Sequence, residues 1–104
     1  MYKIHLPTLI PKKDKDKFTK SVKSLKTSKR DLFEAALHGF KQQVNNNKQY
    51  IFKYQDYDRI NDVLYSISLF EDTYEEIKSL SRKLGASQRG LVREIIFTFN
   101  RTKS

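Results

Sequence analysis

The side chains that most often carry catalysis or bind metals are scarce in this chain. It has no Cys, and its two His are His5 and His38. The missing Cys excludes disulfides, thiolate zinc sites and a cysteine nucleophile. The sequence shows no Ser-His-Asp arrangement, glycine-rich phosphate loop or metal-ligand spacing. The adjacent acids Glu75 and Glu76 lie where a helix is predicted to begin, which accounts for them without acid–base chemistry. We therefore expect no enzyme activity, no metal and no cofactor.

Basic residues are the abundant chemical feature. The 104 residues include 21 Lys and Arg but 12 Asp and Glu, which gives a net charge of +9. Residues 1–50 carry 12 basic and 4 acidic side chains, whereas residues 51–104 carry 9 and 8. A small basic domain attracts polyanions through counterion release. Nucleic acid is the commonest such partner. Binding to an anionic membrane surface, or a requirement for solubility alone, would account equally well for the excess of basic residues.

The length and hydropathy of the chain restrict its class. A chain of 104 residues has little room for both a core and a deep catalytic cleft. No apolar run approaches the roughly 20 residues of a membrane span, and the first ten residues lack a signal-peptide stretch. We therefore expect one small cytoplasmic domain that does not insert into a membrane.

The second half of the chain predicts a strand followed by two helices. Residues 65–69 alternate apolar and small polar side chains, which is typical of a half-buried strand. Acids at the start of residues 72–84 and apolar residues at helical spacing predict a first helix there. Gly85 suits a helix C-terminus and Ser87 suits an N-cap, so a second helix is expected over residues 88–100. Residues 101–104 are expected to fray.

The same apolar pattern occurs 59 residues earlier, without a gap. The aligned pairs include Ser28 with Ser87, Arg30 with Arg89, Leu32 with Leu91 and Phe40 with Phe99. In this register Ile4, Leu6, Thr8 and Ile10 form one face of a first strand, and Pro11 begins the first helix. The first half is therefore also predicted to be strand, helix, helix.

Residues 63–100 resemble the ribbon-helix-helix family of the Arc and methionine repressors. The resemblance lies in Leu64–Leu69, in the acidic helix start that follows and in the Gly85-Ala86-Ser87 turn before an amphipathic helix. The internal repeat extends it to residues 3–43. The family pairs one strand from each of two copies over a four-helix core. The resemblance thus implies a mainly α fold with a short two-stranded antiparallel ribbon, made by tandem β-α-α units that form an intramolecular pseudo-dimer.

The resemblance also predicts the domain organisation. The first unit would span residues 1–44, a partly ordered linker residues 45–61, and the second unit residues 62–104, with both units in one compact domain. Residues 4–10 would pair with residues 63–69. The segment from Tyr50 to Tyr57 is too apolar for a plain flexible linker, and we expect it to pack against the core or to make an oligomer contact.

The outward side chains of the paired strands are the candidate base contacts, because a two-stranded ribbon fits the DNA major groove. In the second strand these are Leu64, Ser66 and Ser68. In the first strand the same parity exposes His5, Pro7 and Leu9, with Lys3 near the ribbon end. A bulge at Pro7 would instead turn Thr8 outward. The candidate base contacts are Lys3, His5, Thr8, Leu64, Ser66 and Ser68.

The start of the second helix in each half is the candidate phosphate grip. A helix N-terminus offers backbone N–H groups and a favourable dipole to an anion. The residues at these positions are Ser28, Lys29 and Arg30 in the first half, and Ser87, Gln88 and Arg89 in the second.

The resemblance implies a sequence-specific double-stranded DNA-binding protein. The first hypothesis is a transcriptional repressor of a plasmid, phage or other mobile element that occupies an operator, with further self-association on DNA as an open question. The second is a relaxosome accessory protein that binds a conjugative transfer origin. The third is a protein-interaction module such as the DNA-binding half of an antitoxin. The short segment after the last predicted helix, residues 101–104, counts against the third.

Overall fold

Six elements make up the fold of the computed structural model, which describes residues 3–46, 49–52 and 61–102. In chain order they are β1 (Lys3–Pro11), α1 (Lys12–Ser24), α2 (Lys29–Asn46), β2 (Asp62–Phe70), α3 (Glu71–Leu84) and α4 (Gln88–Thr102). β1 and β2 pair in one antiparallel two-stranded sheet. The order along the chain is therefore β-α-α-β-α-α.

The fold class expected from the sequence is wrong. It described a mainly α chain of two units with a short ribbon, whereas the structure is a mixed α and β body with one sheet of two nine-residue strands and four helices. A single hydrophobic core draws side chains from both strands and all four helices. Each strand is one residue longer at both ends than expected, and contacts between distant residues lie at these ends: Lys3 is 5.9 Å from the Phe70 ring, and Asp62 forms an ion pair with Arg93.

The sheet has a continuous register. Ile4 lies opposite Leu69, Pro7 opposite Ser66 and Ile10 opposite Val63, which is the pairing expected for residues 4–10 and 63–69. Pairing passes through Pro7 without an extra residue, so there is no bulge. Pro is tolerated in a sheet where its nitrogen faces away from the partner strand. Pro11 ends β1 and precedes α1 rather than beginning the helix.

One face of the sheet packs on the helices. The buried residues of this face alternate along each strand, as a half-buried sheet requires. They are Leu6, Thr8 and Ile10 in β1, and Tyr65, Ile67 and Leu69 in β2. Of the four helices, α4 contributes Leu91, Val92, Ile95 and Ile96 to the core, all fully buried. One face of the sheet thus packs on the helices, while the other face points outward.

The two helix–helix turns have the same geometry, 59 residues apart. Gly85 ends α3 with a φ of 67°, in the left-handed region that favours glycine. Lys26 takes the corresponding place after α1 with a φ of 51°. The backbone N–H of Thr27 donates to Val22 and that of Ala86 donates to Ser81, so both turns close with matching hydrogen bonds. The two turns therefore lead into α2 and α4 with the same local backbone geometry.

Part of the segment between the two halves packs on the helices. The Tyr50 ring lies 5.1 Å from that of Phe40 and 5.8 Å from that of Phe52, in edge-on contacts. Its hydroxyl donates a 2.7 Å hydrogen bond to the fully buried Glu94 carboxylate. The remaining predicted linker residues 47–48 and 53–60, and the end of the predicted tail at 103–104, lie outside the described residues. The packing expected for this segment is confirmed at Tyr50.

The Tyr50 phenol is expected to make stability fall at alkaline pH. Burial raises the pKa of Tyr50 above its ordinary 10.0, and the Glu94 carboxylate raises the pKa further while Thr98 opposes it. A pKa that is higher in the folded state means stability is fully present below pH 10.0 and is lost as the pH rises beyond it. Tyr50→Phe should flatten this dependence. Urea unfolding at a series of pH values measures this dependence. If the free energy of unfolding fell equally steeply with pH in both proteins, the effect could not be assigned to Tyr50.

Candidate nucleic-acid interface

The outward face of the sheet carries five of the six candidate base-contact residues. Lys3, His5, Leu64 and Ser66 are exposed, and Ser68 is half-buried. Cross-strand pairing places His5 directly opposite Ser68, and their Nδ1 and Oγ atoms lie 2.7 Å apart. Polar groups that can donate or accept are therefore presented together on a rigid surface.

One end of this face, which we call the polar end, consists of Lys3, His5, Ser68 and Phe70. Lys3 lies opposite Phe70, with its Nζ 5.9 Å from the ring centre. The guanidinium of Arg30 lies 4.3 Å from the same ring. Cations over an aromatic ring are attracted by its electron-rich face. Two positive charges, those of Lys3 and Arg30, thus lie next to Phe70 at the polar end.

The other end of the face, which we call the apolar end, consists of Pro7, Leu9 and Leu64. Leu9 lies opposite Leu64, and Pro7 is two residues back along β1. Leu64 is 63% exposed. The two ends of the same two-stranded sheet therefore present different chemistry.

Thr8 is a correction to the predicted base contacts. It is 1% exposed and faces the helices, because β1 has no bulge at Pro7 to reverse its direction. Its hydroxyl donates a 2.7 Å hydrogen bond to the backbone carbonyl of Arg89. Thr8 therefore fixes the start of α4 against the sheet instead of pointing outward.

The predicted N-caps are confirmed at both helix starts. The Oγ of Ser28 accepts a 3.0 Å hydrogen bond from the Asp31 N–H, and the Oγ of Ser87 accepts one of the same length from the Gly90 N–H. These bonds satisfy one N–H in each first turn, and the geometry of a helix directs its other early N–H groups outward. Both starts are thus built to favour an anion.

The first helix start is packed more closely on the sheet than the second. The Lys29 ammonium lies 4.1 Å from the Tyr65 ring centre. Burial lowers the pKa of Lys29, and the nearby Lys15 lowers it further. Arg30 contacts Asp31 at 3.6 Å with its side chain 29% exposed. At the second start Gln88 is half-buried and Arg89 is exposed, so the two phosphate grips differ in how far their basic side chains are exposed.

Phe70 was not identified from the sequence as part of the outward face, nor was the contact between the Lys29 ammonium and the Tyr65 ring. Phe70 follows the outward parity of Ser66 and Ser68, so continuing the alternation by one step would have found it. The contact between Lys29 and Tyr65 joins residues 36 positions apart and has no local pattern that signals it.

Neither a metal-binding cluster nor a membrane-spanning helix is found in the described part of the chain. Residues 3–46, 49–52 and 61–102 contain no group of three or more His, Asp or Glu placed to hold a metal ion. Within the same ranges, every helix is too short or too polar to cross a bilayer. No protein-family model, no curated protein and no solved structure matches the chain. The function proposed below therefore depends on the sheet face, the two helix starts and the charge.

Proposed function

We propose that this protein binds double-stranded DNA in a sequence-specific manner by inserting its two-stranded sheet into the major groove. The observation that carries the proposal is the sheet itself: its outward side chains stand clear of the core and are flanked by two capped helix starts. The major groove is about 12 Å wide and admits a two-stranded ribbon. Strands in such a ribbon lie about 4.8 Å apart, which leaves room for side chains at base edges.

The base contacts in this proposal come from the outward face. Ser66 and Ser68 hydroxyls can donate to or accept from either kind of base edge, and Lys3 and His5 can address guanine or adenine acceptors. These side chains project from one rigid sheet, so little ordering is needed on binding. Sequence preference then follows from their fixed spacing.

Phosphate contacts come from the two helix starts. Arg30 and Arg89 correspond to each other in the internal repeat and each follows a capping serine. A net charge of +9 strengthens binding through counterion release and makes it dependent on salt. The grips therefore position the sheet while the sheet reads the sequence.

The resemblance of residues 63–100 to the ribbon-helix-helix family supports the same surface, and we propose that relationship for this chain. The biological role we propose is transcriptional repression in the cytoplasm, by occupying an operator of a plasmid, phage or other mobile element. Selection of bound sequences from a random duplex pool at about 150 mM salt tests the binding, because nonspecific phosphate binding is already weakened there. Recovery of one motif supports the proposal, and no enrichment contradicts it.

The double variant Arg30→Ala with Arg89→Ala is expected to reduce the salt dependence of DNA binding. Each lost phosphate contact lowers the slope of log K against log salt by about 0.9, so the slope should fall by about two. Affinity for unrelated duplexes should fall in parallel. Fluorescence anisotropy with a labelled duplex over a salt series gives both quantities.

Lys41→Ala with Arg101→Ala is the matched control. It removes the same charge near the far ends of the same two helices, roughly 17 Å along each axis from the arginines. Its slope should stay close to that of the unmodified protein. Equal slopes for the two double variants would contradict the phosphate grips.

A further inference from the structure

The apolar end of the sheet face is the feature that the proposed base contacts leave unexplained. Leu64 is 63% exposed and lies directly opposite Leu9. Single exposed leucines are ordinary on protein surfaces. Here two leucines lie side by side across the strands, next to Pro7, on a surface whose other end is basic and polar. The sheet face is therefore divided along its length into two chemically distinct parts.

The surroundings of the apolar end favour DNA as its occupant. Arg89 is exposed in the first turn of α4, and its backbone carbonyl accepts a hydrogen bond from Thr8, the neighbour of Leu9 in β1. An exposed cation on the helix turn that is bonded to this part of β1 fits a duplex, in which phosphates border the base edges. The only apolar group that a base pair presents in the major groove is the thymine C5 methyl.

We propose that Leu9 and Leu64 form a subsite for thymine methyl groups, so that the DNA site contains thymine at this end and polar base contacts at the other. This inference rests on the proposed function. It predicts an asymmetric target site, because Lys3, His5 and Ser68 occupy the polar end. It also selects DNA over RNA, since uracil lacks the methyl group and the RNA major groove is too deep and narrow to read.

Replacing thymine by deoxyuracil tests the subsite, because the exchange removes the methyl group and leaves every hydrogen-bonding atom in place. The probe is the duplex recovered by selection, resynthesised with deoxyuracil at one thymine at a time. Each methyl group that Leu9 or Leu64 covers should cost about four-fold in affinity, the equivalent of about 0.8 kcal/mol for one buried carbon. Thymines elsewhere in the duplex should show no effect.

Protein variants assign the effect to the leucines. Leu64→Ala, at an exposed position that leaves the core intact, should bind the thymine duplex less well and the deoxyuracil duplex unchanged, so that the four-fold preference disappears. Leu9→Ala should reduce the preference in the same way. Ile51→Ala is the matched control, because Ile51 is 72% exposed next to Tyr50, which packs on Phe40. It should keep the full preference.

The outcomes separate the subsite from the proposed function. Loss of the preference in Leu64→Ala but not in Ile51→Ala supports the subsite. Equal binding of both duplexes by the unmodified protein, with sequence-specific binding retained, overturns the subsite and leaves the proposed function standing. A preference that survives both leucine variants overturns the assignment to these residues. Failure to bind any duplex specifically overturns the proposed function itself.

Discussion

Replacing Asp62 by asparagine is expected to lower the free energy of unfolding by about 3–5 kcal/mol. The Asp62 carboxylate accepts a contact of 3.2 Å from Arg93, and the two side chains are 0% and 2% exposed. The neutral amide would remove a negative charge from direct contact with a buried guanidinium, and a protein interior tolerates a weakened buried ion pair poorly. Equilibrium urea unfolding followed by circular dichroism measures the loss.

An exposed ion pair provides the control for this prediction. Lys12 and Asp16 lie 3.3 Å apart on α1, with side chains 75% and 61% exposed. Water screens such a pair, so Asp16→Asn should change the free energy of unfolding by less than about 1 kcal/mol. A loss in Asp62→Asn no larger than that in Asp16→Asn would show that burial adds nothing to the pair.

The buried pair also matters for the interface. Asp62 is the first residue of β2 and lies two residues before Leu64, while Arg93 belongs to α4. The pair therefore joins the apolar end of the sheet to the helix whose start carries Arg89. A strand end held in this way keeps the outward face in one position, which is the condition for reading a base sequence.

Local patterns are sufficient to predict the elements. Alternation over residues 65–69 identifies β2, and the offset of 59 residues locates β1; their pairing, which the family resemblance implied for residues 4–10 and 63–69, is the one that the sheet shows. The serine caps are predictable for the same reason, since the capping serine and the N–H it binds lie three residues apart. Features encoded within a few residues of each other are visible in a sequence.

Features that depend on distant residues are not predictable in this way. The sequence predicts strands over residues 4–10 and 63–69 and misses the pairs at their ends, Lys3 with Phe70 and Asp62 with Arg93, which are separated by 67 and 31 positions. The bond between Tyr50 and Glu94 spans 44 positions. The sequence allows Thr8 among the base contacts because it leaves a bulge at Pro7 open, and only the continuous register excludes that bulge.

Placing a carboxylate at the centre of the outward face, with Ser66→Asp, is expected to weaken specific DNA binding by about 100-fold or more. Ser66 is exposed and lies opposite Pro7, at the middle of the nine-pair register. In the proposed complex the new charge would enter a groove bordered by phosphates, where like charges cost several kcal/mol. Anisotropy titration with the selected duplex measures the loss, and circular dichroism checks that the exposed substitution leaves the fold unchanged.

Asn45→Asp separates this local effect from the change in net charge. Asn45 is exposed near the end of α2, about 22 Å along the helix axis from Arg30, and its replacement adds the same single negative charge. Beyond about 10 Å at physiological salt such a charge is largely screened, so its effect on affinity should be less than about three-fold. If Ser66→Asp and Asn45→Asp weakened binding equally, only the net charge would be acting. A large loss confined to Ser66→Asp would place the DNA against the outward face of the sheet, because Ser66 is exposed on that face.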